Sequence, residues 1–223
     1  MESHSHSSSS KMFDMVRVKI CGVTNSDDAQ LCAELGADAI GLNFYPKSPR
    51  VISPFNAEKI VRDLPPFVTT VGVFVNWAPE PVIALCQALR LNFAQLHGDE
   101  SPQIVAKIAR RIPVIQVLRV VQGKRLPDFA MFKSASAFLL DAAQPENFGG
   151  TGKTTDWRLA SQAAVSHRIV LAGGLTPGNV AQAIATVHPF AVDVASGVET
   201  GPGRKDPAKL QAFLNAVKWA NRR

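Results

Sequence analysis

VRVKICGVTNSDDAQLCAELG, residues 16–36, carries two periodicities in succession. Val16, Val18 and Ile20 alternate with Arg17, Lys19 and Cys21, so the aliphatic residues share one face of a strand and the two cations share the other with the thiol. The spacing then becomes helical, with Asn25 or Ser26 able to cap its start and Gly36 its end. A short strand feeding directly into a helix is the first half of a parallel βα unit. Cys21 is the puzzling member. A free cysteine usually behaves as a small buried hydrophobe, whereas this one shares its face with cations and precedes Gly22.

Short β-rich runs, each followed by helical spacing, recur along the chain. AIGLNF (39–44), TTVGVFV (69–75), FAQLH (93–97), PVIQVLRV (113–120), AFLLD (137–141), RIVLAG (168–173) and FAVDVAS (190–196) read as strands. Helical spacing follows in 53–66, 79–91, 101–112, 155–166, 176–187 and 206–220, and a shorter stretch of it lies around LPDFAMFK, residues 126–133. Ser53-Pro54, Ser101-Pro102, Thr176-Pro177 and Asp206-Pro207 each place a capping residue before a first-turn proline. Eight repeats in 223 residues predict a compact α/β fold, a single (β/α)8 TIM barrel over residues 16–223. A doubly wound open sheet is the alternative, but it wants a glycine-rich first turn, and Gly22 stands alone after the first strand. Residues 1–15 open with MESHSHSSSSK, which has neither the apolar segment of a secretory signal nor the arginines of a transit peptide, and read as a disordered tail or a cloning remnant.

Composition narrows the function classes. Apolar residues make up 46% and charged residues 19%, as in an ordinary soluble domain, and no apolar run is long enough to span a bilayer. Three cysteines without a framework spacing argue for a reducing cytoplasm, and no CxxC or histidine pair suggests a metal site. A net charge of +6 suits an anionic small molecule better than nucleic acid, because the cations are scattered and lack interleaved aromatics. GGTGKTTDW, 149–157, is no P-loop, since Asn147 stands where the first glycine must be.

In a barrel the chemistry sits where strands end. Those positions hold Cys21, Asn43, His97, Asp141, Gly173, Gly174, Ser196 and Gly197. The paired glycines of LAGGLTPGNV, with Ser196 and Gly197 in the adjoining loop, predict a phosphate site of backbone N–H groups. Asp141 ends a buried strand, a costly place for an idle carboxylate. His97 is expected to contact substrate at most. Lys19, two residues before Cys21 and able to face Asp193 on the eighth strand, is expected to lower the Cys21 pKa, whereas Cys32 and Cys86 lie among apolar helical residues and read as packing.

KICG (19–22), FYPKSPR (44–50), VGVFVN (71–76), QLHG (95–98), LLD (139–141), GGTG (149–152), LAGGL (171–175) and DVASGVE (193–199) occur in order, about one block per barrel unit. Together they resemble the phosphoribosylanthranilate isomerase family of tryptophan biosynthesis. The resemblance implies a cofactor-free Amadori rearrangement, with Cys21 as general base, Asp141 as general acid and Arg50 holding the anthranilate carboxylate. His97 and Asp193 complete the expected substrate-binding set with Gly173, Gly174, Ser196 and Gly197. It implies an anionic substrate, no nucleic acid or membrane partner, and a cytoplasmic monomer or homodimer. Thr155 departs from the pattern, because the family commonly carries a large apolar residue before the DW pair. Another phosphosugar barrel of tryptophan or histidine biosynthesis is the alternative; indole-glycerol-phosphate synthesis would want a lysine and glutamate in place of Cys21 and Asp141.

Overall fold

The computed structural model describes residues 15–120, 124–142 and 155–222, so the expected N-terminal tail, apart from Met15, and the GGTGKT segment lie outside the described residues. Strands β1 (Arg17–Cys21), β2 (Ala39–Asn43), β3 (Thr69–Phe74), β4 (Phe93–Leu96), β5 (Val114–Val120), β6 (Ala137–Ala142), β7 (Ile169–Leu171) and β8 (Ala191–Val194) pair in chain order and close into one parallel barrel. Closure excludes the open doubly wound sheet. The closing seam aligns Lys19 of β1 with Asp193 of β8.

Helices α1 (Ser26–Leu35), α2 (Pro54–Asp63), α3 (Pro79–Ala88), α4 (Pro102–Ala109), α5 (Trp157–Ala164), α6 (Val180–Val187) and α7 (Pro207–Ala220) surround it. Asn25 caps α1 by accepting from the Asp28 N–H at 2.8 Å, and Gly36 ends it in the left-handed region. Ser53, Ser101 and Asp206 cap α2, α4 and α7 ahead of their prolines, as the sequence predicts. Val18 and Ile20 point outward into the layer between strands and helices, while Val71, Ile115, Val117, Leu139 and Val170 fill the barrel interior. The inward face of β1 therefore carries Lys19 and Cys21.

Two expectations need correction. Residues 126–133 form no α-helix, only a 3₁₀ turn over Phe129–Phe132, so seven α-helices rather than eight occur among the described residues. Asp128 caps that turn, and Phe129 sits edge-on to Phe138 and stacks on His167 at 4.3 Å, covering β6 and β7 without a helix. Thr176-Pro177 does not start α6, which begins at Val180. Thr176, Pro177 and Gly178 instead form a turn held by Asn179, whose Oδ1 accepts from the Thr176 N–H and whose amide donates to the Gly174 carbonyl.

The chain is also fastened across the seam. Asn221, just past α7, accepts from the Val16 N–H at 3.0 Å and donates to the Val16 carbonyl at 3.1 Å. A short hairpin of β9 (Glu199–Gly201) and β10 (Arg204–Lys205) follows β8, and Thr24 donates to the Gly203 carbonyl at its tip.

Candidate active site

Cys21 ends β1 at the barrel mouth, half-buried. Its Sγ and the Lys19 Nζ both pass close over Gly41 of β2, respectively 2.9 and 3.0 Å from where a Cβ would stand. Lys19 is buried and bonds Asp193 at 2.8 Å. Burial alone would lower the Lys19 pKa, but Asp193 and the thiol outweigh it and leave it raised. The thiol differs from the sequence expectation. Burial pushes Cys21 above its ordinary value, Asp193 adds to the rise, and the pull of Lys19 and Lys205 only partly offsets it. Lys19 lies where it was expected, but the net shift runs upward because desolvation, with Asp193, disfavours the thiolate more than Lys19 and Lys205 favour it.

Gly22 follows Cys21 because another side chain needs its space. Its φ is +72°, and a Cβ there would lie 2.4 Å from the Arg50 Cδ. Arg50, in the loop after β2, lies across Gly22 and binds Glu199 through two nitrogens, Nε at 3.0 Å to Oε1 and Nη2 at 2.7 Å to Oε2. Glu199 is buried and also bonds the buried Lys205 Nζ at 2.8 Å. Burial would raise the Glu199 carboxyl, but Arg50 and Lys205 together hold it below its usual range. Lys205 further donates to the Cys21 carbonyl at 2.6 Å, so one cluster fixes both the end of β1 and Arg50.

On the other side of the mouth, Asp141 near the end of β6 is buried and accepts from the Ala142 N–H through Oδ1 at 2.8 Å. Its Oδ2 lies 3.4 Å from the His97 Nε2, and the His97 Nδ1 lies 3.1 Å from the Gln95 amide nitrogen. Gly173 and Gly174 both adopt left-handed conformations, φ +85° and +62°, so successive N–H groups can form an anion-binding concavity. The eighth loop closes against this one, because Gly197 passes so near the Leu175 carbonyl that a Cβ would stand 1.9 Å from its oxygen. Ser196 begins the 3₁₀ turn over Ser196–Val198 and is exposed. Thr155 is 4% exposed and donates to the Ala172 carbonyl at 2.7 Å, so this departure from the family pattern is accommodated by a hydrogen bond.

The mouth thus brings together Cys21, Arg50, His97, Asp141, Gly173, Gly174, Ser196 and Gly197. Asp193 lies a step deeper, with its carboxylate engaged by Lys19. Cys32 and Cys86 are fully buried in α1 and α3, and burial pushes both thiols to about 12. Sequence reading gave no role to Glu199, Lys205 or Gln95. Glu199 had a visible signal, an acidic residue closing the DVASGVE block; the partner that holds it lies 149 residues away.

The family model described as N-(5'-phosphoribosyl)anthranilate (PRA) isomerase matches residues 18–216. The N-(5'-phosphoribosyl)anthranilate isomerase of Pelobacter propionicus is 49% identical over 207 residues, 92% of this chain and 96% of that protein. The crystal structure of phosphoribosyl anthranilate isomerase from Thermus thermophilus superposes with a TM-score of 0.84 at 40% identity, covering 92% of this chain and 99% of that one. A further isomerase structure, in complex with reduced 1-(o-carboxyphenylamino)-1-deoxyribulose 5-phosphate, matches with a TM-score of 0.80 at 44% identity over 92% of this chain and all of that one.

Proposed function

Because the chain belongs to the N-(5'-phosphoribosyl)anthranilate isomerase family and performs that step of tryptophan biosynthesis, we propose that Cys21 and Asp141 are its general base and general acid. The observation that supports this most is the order of elements around the mouth. The ring runs β6, β7, β8, β1, β2, so the glycine loops of β7 and β8 lie between the acid and base strands, and Arg50 lies beyond the base. A substrate with a phosphate at one end and a carboxylate at the other fits that order.

The chemistry follows from the positions. Asp141 gives a proton to the ribose ring oxygen as the C1'–O bond breaks, and the anthranilate nitrogen lone pair forms the C1'=N bond. The resulting Schiff base acidifies the C2' proton, which the Cys21 thiolate removes to give an enolamine. Protonation at C1' by the Cys21 thiol, with the 2'-hydroxyl proton passing to the Asp141 carboxylate, yields the ketose, 1-(2-carboxyphenylamino)-1-deoxyribulose 5-phosphate, and restores both groups with no atoms gained or lost. Arg50 holds the carboxylate with donors not used by Glu199, a task suited to a planar guanidinium. His97 contacts substrate beside Asp141. Asp193 acts through Lys19, keeping that cation fixed beside the thiol. A cytoplasmic location and a monomeric or homodimeric state complete this reading. Among the described residues no helix is long and apolar enough to cross a membrane. The direct test is loss of substrate fluorescence when purified protein meets freshly formed phosphoribosylanthranilate; no loss above the spontaneous rate rejects the activity.

Inorganic phosphate should inhibit competitively, raising KM and leaving kcat unchanged, because Gly173, Gly174, Ser196 and Gly197 are read as its donors. A KM that does not move with phosphate concentration removes those residues from the site.

The Arg50–Glu199–Lys205 cluster sums to one positive charge, so pairing Arg50 with Glu199 does not cost the pocket its attraction for a carboxylate. Glu199→Gln should loosen Arg50 and raise KM about tenfold, the worth of one charge-assisted hydrogen bond, with kcat changed less. It should also lower the melting temperature, since Lys205 is left buried without its ion-pair partner. Steady-state kinetics with thermal unfolding followed by circular dichroism check both.

A further inference from the structure

Gln95 is buried inside the barrel on β4, two residues before His97 and therefore on the same face. The interior around it is aliphatic, with Val71, Ile115, Val117 and Leu139 among the residues that fill it. Its amide oxygen, also buried, has no hydrogen-bond partner among the described residues. An orphaned acceptor in an apolar interior is destabilising, and a leucine of similar size would fill the space without it. What the amide retains is its other end, the nitrogen 3.1 Å from the His97 Nδ1.

We propose that Gln95 is a positioning residue that holds His97 as its Nε2–H tautomer, aiming a donor at Asp141 as that carboxyl gives up its proton. A neutral imidazole donates from one nitrogen and accepts at the other. With the Gln95 N–H directed at Nδ1, the ring proton sits on Nε2, the nitrogen 3.4 Å from the Asp141 Oδ2. While Asp141 keeps its proton, an N–H at that distance contributes little. When Asp141 transfers the proton to the departing ring oxygen, the same N–H faces a carboxylate and the interaction becomes charge-assisted. An interaction stronger in the transition state than in the ground state accelerates the chemical step without tightening substrate binding. The opposite tautomer would face the new carboxylate with a lone pair. This assignment rests on Asp141 being the general acid.

The test is a tautomer measurement joined to kinetics. Protein labelled with ¹⁵N-histidine, with His97 identified by its missing signals in a His97→Asn variant, is expected to show Nε2 protonated and Nδ1 bare. In Gln95→Leu the Nδ1 signal should move toward the protonated position as the tautomers mix, and kcat should fall about tenfold with KM unchanged, the scale of one hydrogen bond. Gln95→Glu accepts at Nδ1–H and should favour the opposite tautomer, with kcat lowered at least as far. A wild-type His97 carrying its neutral proton on Nδ1 overturns the proposal, and so does a folded Gln95→Leu with wild-type tautomer and kcat. If Gln95→Leu does not fold, the wild-type spectrum decides alone. Failure of the acid assignment is a separate result, because it would show as an active Asp141→Asn enzyme whatever the state of the His97 ring.

Discussion

Asp141→Asn is expected to lower kcat by about 10² to 10⁴, the range contributed by one positioned proton donor, and to leave KM within a few-fold of wild type. The amide keeps the size of the carboxyl and can still accept from the Ala142 N–H, so the end of β6 should hold its shape. What it lacks is a proton to give the ribose oxygen. Ring opening should then become the slow step, and a substrate analogue already opened should bind normally. Circular dichroism must match wild type for the comparison to count. Near-normal turnover by a folded Asp141→Asn protein would move the acid role to another residue.

Cys21→Ser should cost a similar factor, about 10² to 10⁴ in kcat, by removing the base while conserving shape. The pH profile separates the two variants. Burial raises the Cys21 thiol, so near neutrality only a small share is thiolate, and that share grows as pH rises toward the shifted pKa. Wild-type kcat should therefore climb with pH by up to about tenfold per unit until the thiol is titrated or another group intervenes. That rising limb should be absent in Cys21→Ser, whose hydroxyl stays protonated throughout, and present in Asp141→Asn. The fold should be little affected, since the Lys19–Asp193 pair does not depend on the sulfur. A Cys21→Ser enzyme that keeps both its rate and its rising limb would remove the base assignment.

The architecture was legible because short β-rich runs and helical spacing alternate along the chain, a signal local to each segment. Val18 and Ile20 against Lys19 and Cys21 shows the two faces of β1 within a few residues, and closure into a barrel follows once the β-rich run recurs eight times. Helix starts were legible where a cap precedes proline, and misleading at Thr176-Pro177, where a glycine and Asn179 turn the same signal into a tight bend. The segment 126–133 has aromatics at helical spacing, but it forms only a single 3₁₀ turn whose Phe129 packs onto Phe138 and His167. Candidate site residues at strand ends could be named from their addresses. Lys19 facing Asp193 followed from the barrel register, but the other partners could not be named, because Arg50 meets Glu199, and the Cys21 carbonyl meets Lys205, across 149 and 184 residues of chain. The direction of the thiol shift was misread for a related reason. A neighbouring cation is visible in sequence, whereas the amount of water excluded around Cys21 depends on the closed barrel.

The seam between β1 and β8 also sets an order of assembly. Strand β1 is the first element of the barrel and has no partner on one side until β8 arrives, and pairings so distant in sequence are slow to form. Asp193 beneath the thiol, Glu199 behind Arg50, Lys205 on the Cys21 carbonyl and Asn221 clasping Val16 all come from the last stretch of chain. A half-assembled barrel holds Cys21, Lys19 and Arg50 but lacks the late groups that fix them in place. During refolding, turnover should consequently lag behind the recovery of helix signal and arrive with the joining of the two ends, making the reaction itself a reporter of when the ring has closed.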